Sequence, residues 1–583
     1  MVVSKMDAHP STYTTTLHTA RSANIVMAPE RLGAMHQNRI SFVRTMIRKM
    51  AQQQWKVSKH DWQLSPQGFG HVIYKLTTPN HCYHLVVFCD EIADEDRNDR
   101  VIAERWDVTF ALISGDVDVH LLEQLRANVP LQEAGRNPNN VLVLARANKS
   151  VRVFDHIVSH LAQGNQPCPQ ELAEVGYILR TTAVYGNGKF GIADFKLLEK
   201  NADFSQSFSA QMCAVYLLRE FSLDWVNYLA NQLGGPRSAT LHRELQRYLG
   251  VGNATGLGMA PYLINHPTIV DRWMTTREQA LAEVLQSPTS KEKLARLQPL
   301  IAKATLHLQQ VVTINDTQRQ YNSEAIEHLK QFDCHLNAWV DHQTTWAQLL
   351  KQAPQIALEA EEVVLSCLME IYPDLVDVYQ DKMNSDETLF LPSGKKVQDL
   401  LATLNTSYQW AINVDFSQPE NQYWFWYRSQ DKEEPRLGIR GVENGEEKEL
   451  PLDIARQVNR LYHALCDHQP DLSLAEFLVL HPQHRAIARR VWTLGHKQMG
   501  DIQMNVLHRD ALPMHLLRCK LAVFGATKFD PRSDRWVRVT FFQGAPLLDE
   551  IHNQTYQDDW IFPLLPSHEQ LQDNGSIQGG NAL

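Results

Sequence analysis

The first part of the chain shows a helical period of apolar residues, followed by runs with the composition of strands. Apolar positions between Pro29 and Gln54 recur every three or four residues, which predicts helix. His71–Leu76 and Tyr83–Cys89 are rich in β-branched and aromatic residues and flank a turn, so they predict strands. Strands alternating with helices indicate a small α/β layer over residues 65–165. The other elements predicted there are strands at Val108–Ile113 and Val141–Leu144 and helices at Asp94–Arg105, Val117–Asn128 and Val151–Leu161.

From about Pro167 the apolar period is mainly helical. It predicts a helix over Gln170–Arg180 and a long helix over Phe208–Leu233, which stops at the Gly-Gly-Pro that follows. Longer periodic stretches with few glycines indicate a helical bundle. The remaining helices predicted in this part are Ala239–Leu249, His266–Gln286, Lys291–Val312, Asn315–Leu350 and Ala353–Tyr372.

The last third of the chain mixes both patterns. An aromatic run at Tyr423–Tyr427 predicts a buried strand. Leu521–Phe524 and Trp536–Phe542 predict two strands joined by a turn at Asp530–Asp534. Helices are expected at Leu452–Cys466 and Pro482–Gly495.

These elements predict an α+β protein that is predominantly helical, with a small N-terminal α/β layer, a central helical bundle and a C-terminal α+β region. A length of 583 residues agrees with several domains. Their predicted order is a loose N-terminal arm that could lie on a neighbouring part (1–28), an α/β domain (29–165), a helical domain with two glycine-rich loops (166–390), an α+β domain (391–569) and a disordered tail (570–583).

Composition narrows the class of protein. The 56 Lys and Arg against 66 Asp and Glu give a formal charge of −10, which argues against nucleic acid as a partner. The eight cysteines stand singly without a CxxC pair, as expected of reduced thiols. The chain shows no signal-peptide core and no long apolar run, so we expect a cytoplasmic protein without a membrane partner.

One short span, Gly176–Asp194, combines several glycines with charged and hydroxyl-bearing side chains. Glycines permit positive φ, so successive backbone N–H groups can converge on an anion while lysine supplies charge. We therefore expect a site for a small anion there, the alternative being a tight turn with a solvated lysine. The predicted catalytic residues are Tyr185 as general acid or base, Lys189, and Asp194 as base or partner of Lys189. The predicted ligand-binding residues are Arg180, Asn187, Gly186 and Gly188.

Two further stretches could bind a ligand. Arg146 and Lys149 stand where a predicted strand meets a helix N-terminus, a place that favours anions, although Asn148 or Ser150 there could simply cap the helix. The glycine-rich run Gly250–Gly258 offers Asn253 and Thr255 as ligand-binding residues. Because the preceding segment is predicted helical, the run is expected to be a loop that ends this helix and could line a ligand site or, alternatively, hold a cofactor.

Metal binding by pairs of histidines is an alternative interpretation of the sequence. His156 and His160 are one helical turn apart and could share a metal ion, but chance pairs are expected among 25 histidines. His81 and His84 flank Cys82 and are expected to be turn and strand residues. No metal is assigned, and no cofactor is identified.

The leading hypothesis is a soluble cytosolic enzyme that acts on a small anionic metabolite, a carboxylate or phosphate ester, in a pocket lined by the Arg180–Asp194 segment. One alternative is a non-enzymatic scaffold that presents the long helices within Lys291–Leu350 to a partner. A second alternative is a nucleotide-dependent oxidoreductase using the Gly250–Gly258 run, which requires a strand before Gly250.

Overall fold

A computed structural model describes the following residues of the chain: 20–92, 106–183, 192–193, 195–198, 200–256, 266–339, 344–383, 388–418, 425–429, 432–438, 454–503, 513–531 and 536–572. Helix covers 55% of the residues and strand 14%, so the predicted α+β class with a predominance of helix is confirmed. Among the described residues no helix is both long and apolar enough to cross a membrane. The predicted helix Asp94–Arg105 lies outside the described residues.

The described strands form one large sheet and a separate hairpin. The large sheet has the order β1-β2-β3-β4-β5-β6-β8-β12-β11, with the short β7 paired to β5, while β9 and β10 form the hairpin. The sheet therefore takes strands from all three predicted regions of the chain. The bounds are β1 Lys56–Leu64, β2 Gly70–Thr77, β3 Cys82–Cys89, β4 Val108–Ser114, β5 Val141–Lys149, β6 Tyr177–Thr181, β7 Ile192–Ala193, β8 Gly250–Gly256, β9 Phe425–Ser429, β10 Lys432–Gly438, β11 Ala526–Pro531 and β12 Trp536–Phe541.

Pairing in the sheet is antiparallel from β1 through β6 and from β8 through β11. Between these two groups, β6 runs parallel to β8, and it is the one parallel pair among the described strands. Parallel neighbours direct their carboxyl ends to the same side of a sheet, so Thr181 and Gly256 end on one side.

Helices account for most of the remaining described chain. They are α1 Ala23–Val26, α2 Pro29–Ala34, α3 Phe42–Gln52, α4 Val119–Asn128, α5 Phe154–Ala162, α6 Pro169–Val175, α7 Phe195–Leu198, α8 Ser209–Gly234, α9 Arg243–Tyr248, α10 Pro267–Gln286, α11 Lys291–Gln310, α12 Asp316–Ala338, α13 Trp346–Gln352, α14 Leu358–Glu370, α15 Pro373–Val376, α16 Val397–Ser407, α17 Gln409–Ile412, α18 Ile454–Cys466, α19 Leu474–Leu480, α20 Arg485–Gly495, α21 Pro513–Phe524, α22 Leu548–His552 and α23 His568–Gln572.

The two faces of the sheet are covered differently. Alternate residues of β5 point to opposite faces. Val143, Ala145 and Ala147 belong to the main core, which includes the long helix α8, whereas Leu144 belongs to a smaller core beneath α4. Helix α8 itself carries apolar residues on all of its sides, which is why it is buried along most of its length.

Residues 20–28 of the predicted loose arm are packed rather than loose. Met27 is buried, and the Arg21 guanidinium forms an ion pair with Glu278 at 2.7 Å. Arg31 and Arg277 also reach Glu362, on the neighbouring helix α14. Burial alone would raise the pKa of Glu362, but the adjacent guanidinium groups outweigh burial and lower this pKa to about 2. A buried network of ion pairs thus fixes the start of the described chain.

The predicted helix Gln170–Arg180 is wrong in its second half. α6 ends at Val175, because Gly176 follows with φ of +74°, the left-handed conformation that commonly closes a helix. Tyr177–Thr181 then forms β6. A short apolar run does not distinguish a buried strand from a helical segment, so the prediction from the sequence extended the helix too far.

Four other predicted elements also differ. Gly250–Gly256 is strand β8 rather than a loop. Leu521–Phe524 is the end of helix α21 rather than a strand, and the chain turns at Gly525, where φ is +102°. The predicted helix Asn315–Leu350 is two helices, α12 and α13, with 340–343 outside the described residues. The helical pattern of Pro29–Gln54 is likewise divided, into α2 and α3.

At the C-terminal end, 570–572 of the predicted disordered tail belong to α23, and 573–583 lie outside the described residues.

Candidate functional site

Strands β5 and β6 bring two arginines to one small recess. Its lining residues are Trp106, Arg146, Ala147, Asn148, Arg180, Thr181 and Thr182, which we call the Arg146–Arg180 recess. Arg146 and Arg180 are both largely buried, and Asn148 and Arg180 are direct neighbours across the strand pair. The two arginines, predicted separately from distant stretches of sequence, therefore line one recess.

Backbone and hydroxyl contacts fix the geometry of the recess. The Thr181 hydroxyl donates to the Arg146 carbonyl oxygen at 2.9 Å, and the Thr182 amide donates to the same oxygen at 3.1 Å. The guanidinium carbon of Arg146 lies 3.8 Å from the centroid of the Trp106 ring, a close cation–π contact. These contacts hold the end of β6 against β5.

Asp107 braces the same strand end from the other side. Its amide donates to the Asn148 side-chain oxygen at 3.1 Å, and its carboxylate accepts from the Lys149 amide at 2.9 Å. The side-chain oxygen of Asn148 thus accepts the hydrogen bond from Asp107, and the NH₂ group of the same side chain is the donor that Asn148 offers to the recess.

Two buried donors of the recess lack a hydrogen-bond partner within the described part of the chain. They are the indole N–H of Trp106 and the hydroxyl of Thr182. Nearly all buried polar groups in proteins are hydrogen-bonded, and an unpaired one costs about 1–3 kcal/mol. Together with the two guanidinium groups, these donors make the recess suited to an acceptor-rich ligand.

The recess is small. It encloses about 10 Å³, which is about the room that one water molecule needs. Its described walls therefore have room for about one oxygen atom of an anion, and the rest of a ligand would extend past Thr182. The chain there continues into residues 184–191, so Tyr185, Gly186, Asn187, Gly188 and Lys189 lie outside the described residues, as does Asp194.

Lys149 is not among the residues that line the recess. It follows Asn148 on β5 and so points to the opposite face of the sheet. Its ammonium nitrogen lies 4.6 Å from the Phe154 ring centroid and 4.9 Å from that of Trp225. Its predicted role in ligand binding remains a prediction.

Asn253 and Thr255 lie on β8. Asn253 is buried opposite Val539 of β12, and it does not line the recess. Thr255 pairs with Val537 through its backbone, and its side chain is outside the description. The element that precedes Gly250 is helix α9, so the strand that a dinucleotide fold requires there is not found.

The glycines of β8 reflect close packing. A Cβ atom on Gly252 would lie 2.5 Å from the Tyr177 ring, and a Cβ on Gly250 would lie 2.2 Å from the Phe541 carbonyl oxygen. Glycine inside a strand often marks such an approach of other groups. The glycines that led to the prediction of a loop are therefore required by close packing around a strand.

The histidine pair on α5 is held by the backbone. The rings of His156 and His160 are 4.1 Å apart, and His156 Nε2 accepts from the Cys168 amide at 3.3 Å. Burial and the neighbouring imidazole of His160 lower the pKa of His156. Within the described ranges, the one group of three or more metal-type donors lies elsewhere and does not include this pair.

Trp106 and Thr182 line the recess but were not among the predicted site residues. Trp106 stands between the predicted helix Asp94–Arg105 and the predicted strand Val108–Ile113, so no predicted element contained it.

Comparisons of the chain with family models, with curated proteins and with solved structures give no match. The arguments for function consequently depend on the chemistry of the site.

Proposed function

We propose that this protein is a cytosolic enzyme that acts on a small anionic metabolite, a carboxylate or a phosphate ester, whose charged group binds in the Arg146–Arg180 recess. The observation that carries the proposal is the pair of unpaired buried donors, on Trp106 and Thr182, beside two buried guanidinium groups. Guanidinium groups present a planar fork of donors that matches carboxylate and phosphate oxygens.

The position of the recess supports the same function. In sheets with parallel strands, ligands often bind beyond the carboxyl ends of those strands. Thr181 and Thr182 stand at the carboxyl end of β6, which is parallel to β8. Because the recess has room for about one oxygen atom of an anion, the reacting part of the substrate would lie beyond Thr182.

The catalytic roles belong to the residues that follow β6. Tyr185 is proposed as general acid or base, Lys189 as a second cation for the substrate, and Asp194 as the partner of Lys189 or as base. The support is their proximity in sequence, since Tyr185 comes only three residues after Thr182.

The scaffold alternative has less support. It expects exposed apolar stripes on the long helices, yet their main stripes, including Leu297, Ile301 and Leu329, lie in the core. Exposed large apolar residues of this region stand near the connection of the two helices, at Leu306, Val312, Ile314 and Tyr321.

Substitution of Thr182 by valine tests the recess with nearly unchanged volume. A ligand is first found by thermal shift with inorganic phosphate, phosphate esters and dicarboxylates, because a ligand that binds the native state raises its stability. Thr182→Val should weaken binding about tenfold or more, since a hydrogen bond to a charged group contributes about 1.5–3 kcal/mol. It should not lower the stability of the free protein, because the hydroxyl it removes is unpaired.

Thr181→Val is the matched control. Its hydroxyl is paired with the Arg146 carbonyl, so this variant should lose stability. Arg180→Lys should also weaken binding, because lysine lacks the planar fork, whereas the exposed Arg152→Lys should not. Equal affinity in the wild type, Thr182→Val and Arg180→Lys would contradict the site. Binding without turnover, or turnover unaffected in Lys189→Ala and Tyr185→Phe, would contradict the catalytic part alone.

A further inference from the structure

A thiol, an imidazole and a carboxylate meet at the end of the β3–β4 hairpin, away from the Arg146–Arg180 recess. The donor atoms of Cys82, His84 and Asp116 all lie within 4.8 Å of one another. Cys82 and His84 are two apart on β3 and so share one face of the strand. Asp116 comes just after β4, the strand that pairs with β3.

A glycine turn brings the carboxylate to the strand. The Gly115 amide donates to the Cys82 carbonyl at 2.9 Å, which continues the hairpin pairing beyond Ser114. Gly115 has φ of +90°, a conformation that other residues rarely adopt. The chain therefore turns directly after this contact, and Asp116 follows beside Cys82 and His84.

The same glycine sets the tautomer of His84. The Nδ1 atom of His84 lies 2.8 Å from the Gly115 carbonyl oxygen, which can only accept a hydrogen bond, so Nδ1 carries the proton. The Nε2 atom is then left with its lone pair. Histidines that bind metals usually have this arrangement, in which the other ring nitrogen donates to a carbonyl or carboxylate.

We propose that Cys82, His84 and Asp116 bind a divalent metal ion of the zinc class. Thiolate, imidazole and carboxylate are the ligands that Zn²⁺ uses, whereas Mg²⁺ and Ca²⁺ prefer oxygen alone. Bond lengths of 2.0–2.3 Å in a tetrahedron place ligand atoms roughly 3.4–3.6 Å apart. Donors as far as 4.8 Å apart would have to approach one another by about 1 Å to reach this spacing. Asp116 is exposed, so the proposed site is accessible to a metal ion from solvent on that side.

Cobalt substitution in the full chain tests the site, because Co²⁺ bound by thiolate gives a charge-transfer band in the near ultraviolet. The wild type should bind one Co²⁺ with this band, and Zn²⁺ should displace it. Cys82→Ser should abolish the band, and Asp116→Asn should weaken Co²⁺ binding at least tenfold. Both changes are at partly or fully exposed positions, and circular dichroism verifies that the variants fold.

Matched controls separate this site from other donors. Cys466→Ser removes an exposed thiol elsewhere, and His81→Gln removes a neighbouring imidazole whose Nε2 contacts the Ser114 hydroxyl at 2.9 Å. Both should keep the band and the affinity. A band that persists in Cys82→Ser, or Co²⁺ bound by the wild type without a thiolate band, would overturn the proposal. Such binding would then belong to another pair, such as His468 and His481, whose Nε2 atoms are 2.8 Å apart.

Discussion

Replacing Gly252 with alanine would place a methyl group against a buried aromatic ring. The new Cβ atom would lie 2.5 Å from Cγ and Cδ1 of Tyr177 and 2.6 Å from Cδ2. Ordinary carbon contacts are about 3.5–4.0 Å, so the ring or the strand must move by at least 1 Å. Tyr177 is 3% exposed, and the surrounding core leaves its ring no direct way into solvent.

Two effects of opposite sign determine the size of the change. Alanine is favoured over glycine in a strand by about 0.5–1 kcal/mol, because it loses less backbone entropy on folding. Overpacking a filled core costs about 1–3 kcal/mol, and a contact with three ring atoms of Tyr177 places Gly252→Ala toward the upper value. The net expectation is a loss of about 2 kcal/mol in the free energy of unfolding.

Urea unfolding measures this loss by tryptophan fluorescence and by far-ultraviolet circular dichroism, whose transitions must coincide for the free energies to be compared. Gly135→Ala is the control, because a Cβ there meets nothing within 4 Å. In the Tyr177→Ala background the ring is gone, and Gly252→Ala should then cost almost nothing. An equal cost in both backgrounds, or no more cost than Gly135→Ala, would refute the packing of β6 on β8 described here.

Two buried charges give predictions that depend on pH. Lys520→Met should stabilise the protein at pH 7, because burial lowers the pKa of Lys520 from 10.5 to about 7. Between pH 7 and 10.5 the unfolded chain binds a proton that the folded chain lacks. The free energy of unfolding of the wild type should therefore rise by about 4–5 kcal/mol relative to that of the variant over this range. A difference between the two proteins that does not depend on pH would contradict this prediction. Glu362→Gln should cost about 3 kcal/mol at pH 7, because the lowered pKa of Glu362 reflects its ion pairs with Arg21, Arg31 and Arg277. That advantage is complete above pH 4.5 and is lost as the pH falls toward 2, so thermal unfolding at pH 7 and pH 3 should show a smaller difference between wild type and variant at the lower pH.

Periodicity or composition alone was sufficient for elements in which an apolar pattern extends over many residues. The long stripe of Phe208–Leu233 predicts α8, observed as Ser209–Gly234, and alternation or β-rich composition predicts β2, β3 and β4 close to their observed ends. In such elements the local pattern and the tertiary environment favour the same structure, so propensity needs no correction.

The pattern was insufficient where an apolar segment is short or where glycines are packed against distant groups. Tyr177–Thr181 and Leu521–Phe524 are short apolar runs, and each was assigned to the wrong class. The glycines of Gly250–Gly256 resembled a loop, although the ring of Tyr177 and the backbone of β12 require them in a strand. These contacts join residues far apart in sequence, and no local window contains them.

The candidate site likewise could be predicted from the sequence only in part. The residue types of an anion site, Arg146 and Arg180 among them, are evident from the sequence, because guanidinium groups near strand ends and glycines have a limited set of uses. Which of them share a recess was decided by the pairing of β5 with β6. Alternation of residues along β5 turns Lys149 to the opposite face of the sheet. The pairing of β4 with β5 brings Trp106, which stands just before β4, against Arg146.

The sequence by itself thus determined the helical α+β class and the chemistry available to the chain. The tertiary structure decided how strands from residue 56 to residue 541 join one sheet, and with it which donors meet at the two proposed sites. The physical reason is that helices and hairpins form from local contacts, whereas the neighbours of β6 and β8 are chosen by the burial of side chains distant in sequence.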